Sequence, residues 1–145
     1  MTIRPLSEFP VAAARQVRFV LCDIDDTLTD RGRLSGRAYT ALERLRGVGY
    51  SVIPVTGRPA GWCDLIARQW PVDAVVGENG AFYFYYDEIN RHMRRRFWYD
   101  AETRRRHRVS LETLAGRIVR EVPGAAVAAD QAYRESDLAI DYCED

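Results

Sequence analysis

The stretch Val17-Arg18-Phe19-Val20-Leu21-Cys22-Asp23-Ile24-Asp25-Asp26-Thr27-Leu28 decides the fold. A mostly apolar run ends abruptly in acid. Such a run reads as a buried strand with a functional carboxyl end. In open α/β sheets, ligands bind beyond the carboxyl ends of the strands. Asp23, Asp25 and Asp26 therefore fall where chemistry is done. Three crowded carboxylates repel one another unless a cation or donor neutralises them. A hard divalent cation with oxygen ligands is the natural counter-charge, and Mg²⁺ suits a phosphate substrate. A carboxylate can also act as a nucleophile towards phosphorus. A second carboxyl group two residues on can protonate a leaving alcohol and then activate water. The competing reading is an acidic loop that caps a helix or faces solvent.

The segments that follow alternate in type. Polar residues and Gly32 form a loop, and Ser35 is an N-cap. Ala38, Ala41, Leu42, Leu45 and Val48 then keep helical spacing up to Gly47 and Gly49. Residues 50–55 give a second strand, with Pro54 tolerated near its end. Pro59 suits the first turn of a helix running to about Trp70, and residues 73–77 make a third strand. The order β-α-β-α-β with short connections implies a parallel sheet with helices on its faces. Asn79-Gly80 is a turn signal. Residues 81–86 and 91–99 can pair as a hairpin around Asp87–Asn90. Asp100 can cap a helix to about Val122 that Pro123-Gly124 ends, with Leu111, Leu114, Ala115 and Ile118 on one stripe. Residues 125–129 and 138–142 read as two further short strands.

A second polar switch closes the second strand: Val55-Thr56-Gly57-Arg58-Pro59. A hydroxyl, a glycine N–H and a helix start together make an anion site. Alone, the same residues would be an ordinary helix cap. Coming about 30 residues after the acidic cluster, they point to phosphate. Arg58 can clamp an anion or pack over the helix. Glu78-Asn79-Gly80 follows the third strand; Asn79, and after it Glu78, can face the same site, or Asn79-Gly80 can serve only the turn.

The string Val20-Leu21-Cys22-Asp23-Ile24-Asp25-Asp26-Thr27-Leu28 resembles the first motif of the haloacid dehalogenase-like superfamily, an apolar strand followed by Asp-x-Asp-x-Thr. The Thr56-Gly57-Arg58-Pro59 string is similar to its second motif, in the form typical of a branch that includes sugar-phosphate phosphatases. The resemblance implies an α/β fold with a Rossmann-like parallel-sheet core and an inserted α/β cap. Residues 1–98 would be the first half of the core with its hairpin, and 99–145 part of the cap. It implies Asp23 as nucleophile and Mg²⁺ ligand, and Asp25 as general acid/base that offers its backbone carbonyl to the metal. Thr56 would hold the phosphoryl group, with Gly57, Arg58 and Asn79 beside it. The activity implied is phosphomonoester hydrolysis through an aspartyl-phosphate, on a sugar phosphate or similar small metabolite. A phosphomutase of the same superfamily and a non-catalytic Mg²⁺-binding or interaction module remain alternatives. The superfamily also uses a basic residue and a downstream acidic pair. All 21 basic residues here are arginine, and no late acid follows a glycine. The chain is therefore expected to stop inside the cap and to turn over poorly alone.

Net charge is zero, but residues 91–108 hold eight arginines against Asp100 and Glu102. With Phe97, Trp98 and Tyr99 this segment could bind anions or single-stranded nucleic acid. A solvated face is the plainer reading, so no nucleic-acid partner is expected. His92, His107, Trp62 and Trp70 carry no ligand spacing. Cys22, Cys63 and Cys143 are odd in number and widely spaced, which fits reduced thiols in the cytoplasm. Cys22 is expected in the core. No apolar run approaches the roughly 20 residues of a membrane span, and no signal-peptide core is present. Association into a homo-oligomer is left open.

Overall fold

The computed structural model describes residues 5–143. A short helix α1 (Val11–Ala14) leads into strand β1 (Phe19–Asp23). The strand breaks at Asp23 because the next residues turn sharply. Asp26 sits at φ 54°, a left-handed conformation that Asp tolerates better than most residues. The polar residues around Gly32 read as a loop from sequence. They form a small hairpin instead, β2 (Thr29–Asp30) and β3 (Arg33–Leu34). Its two-residue turn, Arg31-Gly32, has both φ values positive, as a tight hairpin of right-handed twist requires.

Helix α2 (Gly36–Gly47) begins where the Ser35 hydroxyl accepts from the Ala38 N–H at 3.1 Å. It buries Leu42. Strand β4 (Ser51–Val55), helix α3 (Ala60–Gln69) and strand β5 (Val75–Gly77) follow in the expected order. Strands β6 (Phe82–Asp87) and β7 (His92–Phe97) form the expected hairpin. One five-stranded sheet results, in the order β1-β4-β5-β6-β7. The pairs β1–β4 and β4–β5 are parallel, and the last two pairs are antiparallel. The architecture is mixed α/β with a Rossmann-like parallel part.

The core lies between the sheet and its helices. Ile24, Leu42, Val52, Ile66, Val75, Phe82 and Phe84 are its buried centre. Phe82 stacks on Phe84 at 4.1 Å between centroids, and Phe97 meets both edge-on. Such contacts add about 0.5–1.5 kcal/mol per pair beyond area burial. Period two puts Tyr83 and Tyr85 on the other face, opposite Arg96 and Arg94.

β1 departs from expectation. It was expected to be buried, yet Phe19 and Leu21 are about 60% exposed and Cys22 is half-buried. The reason is topological. β1 is an edge strand that pairs only with β4, so its outer edge and one face have no cover among the described residues.

Beyond the hairpin, the Asp100 carboxylate accepts from the Thr103 N–H at 2.7 Å and starts helix α4 (Ala101–Glu121). The expected stripe buries only Ala115 fully, while Leu114 stays exposed. Strands β8 (Ala125–Val127) and β9 (Ile140–Tyr142) pair antiparallel. Between them, residues 130–139 fold back towards the carboxyl ends of β4 and β5.

Candidate active site

Parallel pairing of β1 with β4 puts Asp23 in register with Val55, so both strands end at the same level. The acidic cluster and Thr56 thereby become neighbours across 31 residues of sequence. Asp23 is exposed, and the Thr27 hydroxyl donates to its Oδ2 at 3.2 Å. That bond explains why a hydroxyl residue stands four places after the acid. Thr29, two residues on, is buried and donates to the Ile24 carbonyl, pinning the base of the turn.

Asp25 faces the second loop. The Thr56 hydroxyl lies 3.4 Å from its Oδ2. Arg58 grips it more firmly, with Nε 3.1 Å from both carboxylate oxygens and Nη2 2.8 Å from Oδ1. The guanidinium also lies over the Trp62 ring, 5.3 Å from its centroid. The hydrogen bond to Asp25 raises the Arg58 pKa, against the opposing effect of partial burial. Both side chains are more than a third exposed, so the pair adds at most about 1 kcal/mol of stability. Its importance is positional. Arg58 is drawn to Asp25, and among the described residues no cation pairs with Asp23.

The Arg58 N–H donates to the Thr56 hydroxyl oxygen at 3.0 Å. Thr56 is buried and Gly57 is exposed. Asn79, at φ 57°, packs directly on Gly57: a Cβ added there would lie 3.1 Å from the Asn79 Oδ1. The Asn79 N–H reaches the Thr56 carbonyl at 3.3 Å, and its side-chain amide donates to Asp137 at 3.1 Å. The structure thus brings together Asp25, Thr56, Gly57, Arg58 and Asn79, with Asp23 beside them on the same turn.

Two residues of this region escaped the sequence reading, Arg134 and Asp137, and Glu78, the lesser substrate candidate of the Glu78-Asn79-Gly80 stretch, is turned inward instead. Glu78 is 2% exposed and accepts four backbone N–H groups. Arg134 donates to the Gly57 carbonyl and to the carboxylates of Asp130 and Asp137. A carboxylate after the third strand was the one available signal, and nothing local showed what it would hold. The arginines of residues 91–108 serve partly in internal pairs. Arg95 bridges Asp64 and Glu135, and Arg104 lies 3.7 Å from the Phe97 centroid. His92 and His107 are exposed, as expected.

Two thiols near the site, Cys22 and Cys63, are held in the protonated form. Burial, helped by the charge of Glu78, pushes Cys63 up to about 12. Burial and then Asp23 raise Cys22. For a cation, the Asp23 carboxylate and the Asp25 backbone carbonyl are oxygen donors of the hard kind that Mg²⁺ takes. They fit it in kind and supply only part of a coordination shell. Among the described residues no group of three His, Cys, Asp or Glu side chains converges, and Arg58 occupies the Asp25 carboxylate. No helix among the described residues is long and apolar enough to cross a membrane.

Residues 20–98 match the family model of haloacid dehalogenase-like hydrolases. No curated protein matches the chain. Among solved structures it is similar to protein 0175 of Thermoplasma acidophilum, with TM-score 0.64, 20% identity, and coverage of 87% of this chain and 51% of that one. It is also similar to BT1666 of Bacteroides thetaiotaomicron, described as one of the phosphatases of the haloalkanoate superfamily. There the TM-score is 0.50 and identity 22%, covering 83% of this chain and 41% of that one. At these identities the likeness concerns the fold, and the chain spans about half the length of the Thermoplasma protein or less of the Bacteroides one. The match over residues 20–98 takes in more than half of the chain, including both strand-end motifs, and on it this protein belongs to the haloacid dehalogenase-like hydrolases.

Proposed function

We propose that this chain carries the nucleophile and the phosphate-holding loop of a Mg²⁺-dependent phosphomonoester hydrolase. One observation carries the reading. Two adjacent parallel strands end side by side, one in Asp23 and Asp25, the other in Thr56-Gly57-Arg58, and Asp25 contacts both Thr56 and Arg58. An acid pair facing a hydroxyl, a glycine and a guanidinium is suited to an anion that is attacked by one acid and relieved of its leaving group by the other.

An Asp23 carboxylate oxygen attacks phosphorus in line. The bond from phosphorus to the ester oxygen breaks, and that oxygen takes a proton from Asp25. Asp25, now a carboxylate, removes a proton from water. The water oxygen attacks the aspartyl-phosphate, the bond from phosphorus to Asp23 breaks, and inorganic phosphate leaves with Asp23 restored. Thr56 and Arg58 hold the phosphoryl oxygens, where charge builds up. Arg58 must turn from Asp25 to the substrate, which frees Asp25 to carry its proton. Mg²⁺, held by Asp23 and the Asp25 carbonyl, would supply counter-charge to the phosphoryl group.

The substrate class is a sugar phosphate or similar small phosphorylated metabolite. Free thiols at Cys22, Cys63 and Cys143 suit a reducing, cytoplasmic setting. Residues 99–145 are read as part of a cap. Alone, the 145-residue chain should be slow, because among the described residues Asp23 has no offsetting cation and the donor set is partial. The test is hydrolysis of an aryl phosphate with Mg²⁺, for the wild type and Asp23→Asn. An amide is a far poorer nucleophile, so turnover should fall to background. Mg²⁺-dependent phosphate release above background that Asp23→Asn leaves unchanged would sink the assignment.

A further inference from the structure

Residues 130–139 are fastened to the candidate site by two charged side chains that the mechanism does not use, one buried and one largely covered. The first is Glu78. Its Oε1 accepts from the N–H groups of Ala60 at 2.9 Å and Glu135 at 2.8 Å. Its Oε2 accepts from Ser136 at 2.6 Å and Asp137 at 3.0 Å. Three consecutive N–H groups thus converge on one carboxylate that is 2% exposed. A buried charge is tolerated only when so compensated. The fourth donor, Ala60, opens helix α3, so Glu78 ties residues 135–137 to that helix start.

The second is Arg134, whose side chain is 9% exposed. Its Nε and Nη2 pair with Asp130 at 3.1 and 3.2 Å, and its Nη1 lies 2.9 Å from Asp137. The same Nη1 donates to the Gly57 carbonyl at 2.9 Å. That last bond has a consequence for Thr56. In a trans peptide the C=O and the following N–H point in opposite directions. With the Gly57 carbonyl held towards Arg134, the Arg58 N–H is held the other way, where it meets the Thr56 hydroxyl at 3.0 Å. Glycine at 57 has no side chain to resist rotation of this peptide, so the orientation needs an external hold.

We propose that Arg134 is a positioning residue that fixes the Gly57–Arg58 peptide, and through it the Thr56 hydroxyl, while Glu78 keeps Arg134 in place by capturing residues 135–137. The segment 130–139 then acts as a latch. When it is seated, the phosphate-holding loop is preorganised; when it lifts, the Gly57–Arg58 peptide is free to flip and Thr56 loses its orienting donor. Asn79 belongs to the same latch, since it touches Gly57 on one side and Asp137 on the other. The proposal rests on the reading of Thr56–Arg58 as the phosphate-holding loop.

The test is amide hydrogen exchange together with titration of inorganic phosphate in Mg²⁺, followed by NMR on the 145-residue chain. In Arg134→Gln the Arg58 amide should exchange at least about tenfold faster, and phosphate affinity should fall about tenfold, the loss expected for a hydrogen bond to a charged group. The amides of β5 and β6 should keep their protection. In Glu78→Gln the amides of residues 135–137 should speed up first, because the side-chain NH₂ cannot accept from them. Thr56→Ala should lose phosphate affinity without faster exchange at residues 135–137, a pattern that a merely structural role for the segment would not give. Should the Gln variant lose β5 and β6 protection as well, Arg134→Lys decides, since it keeps the charge and lacks the fork. An Arg58 amide that exchanges as in the wild type, in a folded Arg134 variant, overturns the proposal. Absence of phosphate shifts at Thr56–Arg58 in the wild type would instead overturn the phosphate reading and leave the exchange result to judge the latch.

Discussion

Arg58 and Asp25 form a forked ion pair across the two loops, with the guanidinium 2.8 to 3.1 Å from both carboxylate oxygens. The pair joins the acid expected to move a proton to the cation expected to hold the substrate. Each occupies the other as long as no phosphate is present. An incoming phosphate dianion competes for Arg58, so substrate binding and release of Asp25 become one event.

This gives a first prediction. Arg58→Ala should lower kcat/KM for an aryl phosphate by about ten- to hundredfold, the loss expected for a charge-assisted hydrogen bond of about 1.5–3 kcal/mol. Much of the loss should appear in KM. Steady-state kinetics check it, and an unchanged kcat/KM would show that Arg58 only packs on Trp62.

A second concerns the role of Asp25. Asp25→Asn should be severe for alkyl phosphates and milder for aryl phosphates, whose leaving oxygen needs little protonation. Comparing the loss on a sugar phosphate with that on an activated aryl phosphate tests it. Equal losses would argue against proton donation by Asp25.

A third prediction follows from charge away from the site. Partial burial pushes the Asp64 carboxyl up, but hydrogen bonds from Arg68 and Arg95 outweigh it and hold the group below the usual range. A depressed folded pKa means stability that is present above the ordinary carboxylate range and lost as pH falls through the folded value. Asp64→Asn should therefore flatten the acid limb of the stability curve below about pH 4. Urea unfolding at several pH values measures this. A slope equal to wild type would deny Asp64 a part in acid unfolding.

Much of this fold is written locally. Ser35 and Asp100 cap their helices with their own side chains, three residues from their partners. Asp87 closes the hairpin on Asn90 in the same way. The strand-end motifs are also local, which is why Asp23, Asp25, Thr56 and Arg58 could be picked out before their mutual geometry was known. The roles of Glu78 and Arg134 were not legible, because their partners lie 57 to 77 residues away in sequence. A glutamate that accepts four main-chain donors leaves no pattern in residue types, since its partners are backbone. The exposure of Phe19 and Leu21 escaped for a related reason. An apolar run says that a strand wants cover, while the neighbours decide whether it receives it.

The central claim is that Asp23 takes the phosphoryl group. It is tested most directly by incubating the protein with Mg²⁺ and a reactive acyl phosphate, quenching in acid, and mapping the modified peptide by mass spectrometry. Transfer to the nucleophile is a single step and does not depend on efficient turnover. The account predicts one phosphoryl group on the peptide containing Asp23, lost in Asp23→Asn and longer-lived in Asp25→Asn, which cannot activate water. A phosphoryl group on another residue, or on the Asp23→Asn protein to the same extent, would contradict it.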